Sequence, residues 1–410
     1  MDLVERSREL FRGLETDVSG GALHVAAAEV GSVISALSCA HHALALRHLD
    51  PALALSELRT LYAVCQLESG LVAEERPLTP ESQAARAAQF GPLYREDGRS
   101  WFVGPPVAAY AAAKLVQQVG PSARDLLECA TRQLDAVWGE RLPPDTPLPV
   151  ILHPLEATAY GSTLFDAVVE SRQLTEWREE AANITRSAIA CGLDPERALR
   201  VGHPFVVEDP IFCGWLLLGF EETARAWEFL GEPDLVRKLR IRANVIAEGA
   251  AERLWWEEEE IYGGLDRQRE APLRAVTAGG LVLAASRTLL AGGGARRAVD
   301  RHLRPSASPL WRSTGISVAP IESDDTPDPD PVPWRANGIS AATCYWGHLA
   351  LIHSQRIADA RIAREQLERL TDNAGFREFY DAFSGAGSGC GLEGGYTWPT
   401  LALEMQAAEQ

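Results

Sequence analysis

The sequence predicts an all-α protein made of helical hairpins, on three observations. Apolar residues recur at helical spacing through most of the 410 residues. Alternating apolar and polar runs bounded by turn residues, the mark of strands, are scarce. Tight turns alternate with long Gly/Pro-rich loops that are spread along the chain. A chain of this length exceeds the usual size of one core, so two domains are the naive expectation unless the helices close into a toroid with one large shared core. No stretch reads as a linker between halves, which favours the toroid. A dozen or so helices in hairpins is what a double ring of helices looks like in sequence. An α-solenoid would give the same pattern, although no fixed repeat period is present.

The periodic stretches place helices at 24–48, 51–67, 106–118, 122–138, 164–190, 210–230, 234–253, 272–291, 340–356, 359–373 and 397–408. Local capping chemistry marks several starts. Asp50-Pro51, for example, puts an N-cap acid before a proline at the first helical position. The longest loops fall at 141–154, 201–210, 304–338 and 384–396, and long loops in compact domains often carry binding groups.

Apolar residues make up 46% of the chain and charged residues 23%, enough for a large buried core. The net charge of −18 argues against nucleic acid and anionic membranes as partners, because both would be repelled. Basic charge is almost all arginine, with lysine only at Lys114 and Lys238. Cys39, Cys65, Cys129, Cys191, Cys213, Cys344 and Cys390 are scattered without a CxxC pair, so neither a disulfide framework nor a zinc site is signalled. The start MDLVERSREL lacks an apolar h-region, and the longest apolar stretch, Ala278 to Gly294, is interrupted by Arg287. A cytoplasmic, metal-independent protein without a cofactor is expected, acting on a small molecule; the oligomeric state is not encoded legibly.

Two segments carry candidate chemistry. Glu378 follows a predicted helix and precedes the Gly-rich run SGAGSGCGLEGGYTW. A flexible loop beside a lone acid suits a base that meets substrate or water at close range, and an exposed helix-end glutamate is the plainer alternative. In His153-Pro154-Leu155-Glu156-Ala157-Thr158-Ala159-Tyr160 a proline-led loop carries Glu156 toward a helix start where Asp166 falls in the first turn. Either carboxylate has a structural alternative, Glu156 as an acceptor for loop amides and Asp166 through the helix dipole.

The segments HLDPALALSELRTL, GPPVAAYA, HPLEATAYGSTLFD, FVVEDPIF, WRANG, EFYDAFSGAGSG and YTWPTLAL, in this order between about residues 31 and 404, resemble glycoside hydrolase family 63. The likeness is to its short members that hydrolyse mannosylglycerate or glucosylglycerate, with trehalases more distant. The resemblance implies a single-domain (α/α)6 barrel over 1–410, with loops at about 141–163, 304–338 and 384–396 forming the pocket rim. It also implies an aspartic general acid and a glutamic general base that invert the anomeric centre, about 6.5–9.5 Å apart to admit water.

This sequence keeps half of that pair. Glu378 matches the base in the family's E-[FY]-[YF]-D pattern, whereas matching His153, Pro154, Glu156 and Ser162 without a gap puts Tyr160 where the acid belongs. A phenol with a pKa near 10 is a far poorer donor to a glycosidic oxygen than a carboxylic acid tuned to about 6. Tyr160 is therefore either a packed aromatic or a group with a new role. Counting back from His48-Leu49-Asp50, the family's sugar-binding Trp-Asp pair falls on Leu37 and Ser38. The WRGPVW pattern becomes Trp334-Arg335-Ala336-Asn337-Gly338-Ile339, retaining the arginine and losing a second tryptophan. Arg335 and Asn337 are read as substrate contacts, with a salt bridge the alternative for Arg335. Tyr396 and Trp398 either wall the pocket or pack in the core.

Asp324-Asp325-Thr326-Pro327-Asp328 spells DDxxD, a magnesium motif in isoprenoid cyclases, but the prolines make it a helix-breaking acidic loop. Glu257 to Glu260 reads as a solvated edge. The leading functional expectation is an enzyme re-tasked to non-hydrolytic acid–base chemistry, such as cyclisation, isomerisation or elimination in specialised-metabolite biosynthesis. The alternatives are an inverting glycosidase with a relocated acid, Glu156 or Asp166 being nearest in sequence, and a non-catalytic sugar-binding barrel.

Overall fold

The computed structural model describes residues 2–18, 21–28, 32–169, 174–305, 307–320, 334, 338–392 and 394–410. Helix α1 (Leu3–Leu14) precedes the hairpin α2 (Ala36–Leu46) and α3 (Pro51–Cys65). A short helix, α4 (Pro80–Phe90), leads to the hairpin α5 (Val107–Val119) and α6 (Arg124–Glu140). Next come α7 (Leu174–Ala190), α8 (Pro195–Val201) and the long hairpin α9 (Pro210–Phe229) and α10 (Pro233–Arg253). Three short helices, α11 (Gly280–Ala284), α12 (Arg287–Ala291) and α13 (Gly294–His302), are followed by α14 (Ala341–His353), α15 (Ile357–Ala374) and α16 (Ala402–Ala408).

Among the described residues six helices, α2, α5, α9, α11, α14 and α16, form an inner ring in which each packs on the next and α16 packs back on α2. The sequence explains who is inside. Every residue of α2 is buried, and a helix that is apolar all round belongs in a core. By contrast α10 buries Val236, Leu239, Ala243, Ile246 and Ala250, spaced three and four apart, and exposes its charged face. Outer helices α3, α6, α10, α13 and α15 each pack on the inner helix before them. Helix α1 joins this layer, with Phe11 edge-on to His42 of α2 and Arg6 donating to the Thr371 carbonyl of α15. The result is an (α/α)6 barrel.

Because each inner helix is followed by an outer segment that runs back, the inner helices are parallel. Their N-terminal ends gather at one end of the ring. Leu37 and Ser38, Gly104-Pro105-Pro106, Asp209, Ser340 and Trp398 all lie at those starts. This is where the candidate residues read from the sequence collect.

Three predicted helices are shorter than the periodicity suggests. In place of 24–48 the helix begins at Ala36, because Val33–Ser35 is a strand paired antiparallel with Glu75–Pro77. The stretch 164–190 is a 3-10 turn, Thr163–Phe165, followed by α7 from Leu174. The stretch 272–291 is broken between α11 and α12, where the Ser286 side chain caps the Leu289 N–H. Helices α1, α4, α8 and α13 escaped the sequence reading; α8 and α13 are short and rich in charged residues. Among the described residues no helix is long and apolar enough to cross a membrane.

Candidate active site

Glu378 precedes the strand Phe379–Asp381, which pairs with Gly338–Ser340 at the start of α14 and with Gly387–Ser388. This pairing carries the carboxylate to the N-terminal end of the ring. The Glu378 N–H donates to the Cys390 carbonyl at 3.0 Å, and the Cys390 N–H donates to Glu378 Oε2 at 2.9 Å. Gly389 lies between them at φ +71°, and a Cβ there would come within 2.7 Å of Oε2. The Gly-rich run is thus a fitted wall, glycine being required both for the left-handed backbone and for the close approach.

Tyr160 is half-buried, with its ring 6.2 Å from Phe90 of α4 and 5.4 Å from Trp177 of α7. Burial pushes its phenol above the ordinary value, and the Glu378 carboxylate pushes the same way, against the opposing Arg86 guanidinium. Arg86 is ion-paired with Glu75, which also accepts from the Tyr94 hydroxyl at 3.0 Å. Tyr396 is likewise raised by burial and then by Glu378, Cys390 and Tyr160. Glu378, Tyr160, Tyr396 and Cys390 therefore share one electrostatic neighbourhood.

The aromatic floor joins further residues singled out from the sequence. Trp398 Nε1 donates to Ser38 Oγ at 3.1 Å. Its ring meets Tyr396 at 5.4 Å, Trp334 at 6.1 Å and His41 edge-on at 4.8 Å. Trp334 in turn stacks on Trp346 at 6.0 Å and meets Phe379 at 5.3 Å. Leu37 and Ser38 are buried on the first turn of α2. Burial lowers His41 to about 3, and neither of its ring nitrogens has a partner among the described residues.

Beneath this floor, His24 Nδ1 and His42 Nδ1 lie 2.8 and 3.0 Å from the two oxygens of buried Glu57, and Thr397 Oγ1 lies 2.7 Å from His42 Nε2. This trio is the one group among the described residues with a metal-ligand layout. Two ligand atoms on a tetrahedral zinc with bonds of about 2 Å lie about 3.3 Å apart. The shorter contacts here are direct hydrogen bonds that fill the space an ion would need. The trio instead ties the N-terminal segment, α2 and α3 to the turn that carries Trp398.

Glu156 has a structural task. It is fully buried; Oε1 accepts from the Val103 N–H at 3.1 Å and from Arg141 Nη2 at 2.6 Å, and Oε2 accepts from the Leu152 N–H at 2.7 Å. These donors occupy both of its oxygens. Asp166 is not in the first turn of a helix but ends the 3-10 turn Thr163–Phe165. Arg335, Asn337 and the acids Asp324, Asp325 and Asp328 lie outside the described residues. Glu257 to Glu260 form the expected charged edge, Glu257 pairing with Arg297 and Glu259 with Arg301.

Sequence reasoning missed Glu74, Glu75, Arg86, His41 and Trp346. Glu74 lies between the starts of α2 and α5. Its Oε1 accepts from Ser35 Oγ at 2.8 Å and from the Leu37 N–H at 3.5 Å. Its Oε2 is buried without a partner among the described residues, and burial pushes the carboxyl up to about 8. The signal was present as Glu74-Glu75-Arg76, three consecutive charges directly after the apolar Leu71-Val72-Ala73.

Comparison with known proteins agrees with this architecture. The family model for the mannosylglycerate hydrolase MGH1-like glycoside hydrolase domain matches residues 34–319, a span that includes Tyr160 and stops before Glu378. A mannosylglycerate hydrolase of Rubrobacter radiotolerans is 28% identical over 342 residues, covering 74% of this chain and 73% of that protein. The crystal structure of the family 63 mannosylglycerate hydrolase of Thermus thermophilus in complex with glucose is similar with a TM-score of 0.74 at 22% identity, covering 99% of this chain and 100% of that one. Neutral trehalase of Saccharomyces cerevisiae is similar with a TM-score of 0.58 at 14% identity, covering 100% of this chain and 80% of that one. These two likenesses speak to the fold. Since the family model spans most of its length, the chain belongs to the mannosylglycerate hydrolase MGH1-like glycoside hydrolases.

Proposed function

We propose that this protein hydrolyses a small glycoside, with Glu378 taking the proton of the attacking water. One observation carries this reading: Glu378 stands where the inner helices begin, oriented by the Cys390 N–H and close enough to Tyr160 and Tyr396 to raise both phenols. Membership of a glycoside hydrolase family supports it. Tyr160 is not the proton donor, since its phenol is held above a value already too high for the task. It serves instead as a hydrogen-bond donor to substrate or water. The seven free cysteines suit a reducing, cytoplasmic setting.

The second reading, non-hydrolytic acid–base chemistry in specialised-metabolite biosynthesis, is favoured by the same phenol. A proton-retaining Tyr160 beside a carboxylate base would stabilise negative charge after Glu378 removes a proton from carbon or oxygen. The two readings part in a sugar-release assay over α-glucosides, α-mannosides, trehalose, glucosylglycerate and mannosylglycerate. Release that falls by about 10²–10⁴ in Glu378→Gln supports hydrolysis. A folded wild-type protein that releases no sugar overturns it in favour of the second reading.

A further inference from the structure

We propose that Glu74 is the proton donor that replaces the carboxylic acid missing at Tyr160. The proposal rests on the hydrolytic reading above. Three features of the geometry point to it. First, the carboxyl is wedged between the N-terminal ends of neighbouring inner helices: Ser35 Oγ and the Leu37 N–H of α2 hold Oε1, while Oε2 approaches Gly104 before α5. Second, Gly104 makes room for it, since a Cβ at that position would fall 1.9 Å from Oε2. Any other residue would expel the carboxyl from this position. Third, Oε2 is buried without a hydrogen-bond partner among the described residues. A buried polar atom with no partner is costly, and a substrate oxygen is one group that would satisfy it.

Burial pushes this carboxyl up to about 8, so at neutral pH it carries the proton that a general acid must deliver. Leu37 and Ser38, where the resemblance placed the sugar-binding pair, are on the helix turn that Glu74 caps. The carboxylate absent from Ser38 is thus supplied to the same turn by the residue that precedes the neighbouring strand Glu75–Pro77. In the reaction the water oxygen bonds to the anomeric carbon as the bond to the leaving oxygen breaks. The water proton passes to Glu378 and the Glu74 proton passes to the leaving oxygen. Exchange with solvent restores both groups, and no other reactant is needed.

An acid is dispensable when the leaving group departs without protonation, and this supplies the test. Wild type, Glu74→Gln and Glu378→Gln are compared on mannosylglycerate or glucosylglycerate and on the matching α-glycosyl fluoride. Glu74→Gln is expected to slow the glycerate glycoside at least 100-fold and the fluoride less than 10-fold, and to remove the alkaline limb of kcat/KM near pH 8. Gly104→Ala, which leaves Glu74 in the sequence but displaces its carboxyl, is expected to show the same selectivity if Glu74→Gln folds poorly. Equal losses on the two substrates, or no loss on either, overturn the proposal for Glu74 while leaving Glu378 untouched. Fluoride hydrolysis that survives Glu378→Gln, or no hydrolysis of either substrate by wild type, overturns the hydrolytic reading and the proposal with it.

Discussion

Glu156→Gln separates structure from catalysis at the position nearest, in sequence, to the missing acid. Glu156 accepts hydrogen bonds from the Val103 and Leu152 N–H groups and from Arg141, itself 1% exposed. A glutamine amide keeps one acceptor oxygen and turns an NH₂ toward a backbone donor, while Arg141 loses its counter-charge. Breaking a buried pair in this way costs about 3–5 kcal/mol. With an m-value of about 3 kcal/mol/M or more, the urea midpoint falls by about 1 M. The assay is urea unfolding followed by tryptophan fluorescence, with Arg141→Met and the double variant completing the cycle. The double variant is expected to lose less than the sum of the singles, by about 0.5–3 kcal/mol, because it removes both charges together. Among molecules that remain folded, activity on glycerate glycosides and glycosyl fluorides should fall in equal proportion. A variant that unfolds at the wild-type midpoint but loses only the glycerate activity would refute this account and make Glu156 the acid.

Two other predictions follow from the same geometry. Gly389→Ala places a Cβ against Glu378 Oε2 at a positive φ, so turnover should drop at least 10-fold while the unfolding midpoint shifts little; unchanged turnover would detach the Gly-rich wall from the function of Glu378. His41 stays neutral in the folded protein down to about pH 3 but titrates near 6.5 when unfolded, so below pH 6.5 the unfolded state binds more protons and stability falls with pH. His41→Phe should therefore flatten the loss of stability between pH 6 and 4 by about 1.4 kcal/mol per pH unit, and an unaltered slope would contradict the buried, neutral imidazole.

The double ring could be read from the sequence where helices are long and largely apolar, as in inner α9, or begin at a strong cap, as at Asp50-Pro51 of outer α3. It was misread where a strand precedes a helix without a polar break. Val33–Ser35 runs into α2 in this way, and only pairing with Glu75–Pro77, some forty residues away, reveals it. Glu378 and Tyr160 were accessible because motif order carries their positions, and so were Ser38 and Trp398, which touch each other where the ring closes. Glu74 was not, because it is defined by Gly104 and Ser35, both distant in the chain. Arg86 was not, because only the folded chain brings Glu75 and the Phe90 ring, at 4.6 Å, onto its guanidinium. Glu156 shows the converse: its motif position suggested chemistry, and only the fold brings Val103, Leu152 and Arg141 onto its two oxygens.

The most direct test of the central claim is a proton NMR time course of mannosylglycerate or glucosylglycerate with wild type and Glu378→Gln. Wild type is expected to release the β-anomer of the sugar first, before mutarotation, and Glu378→Gln to reduce this release at least 100-fold. Release of sugar at the wild-type rate by Glu378→Gln, or no release by folded wild type, would contradict that claim.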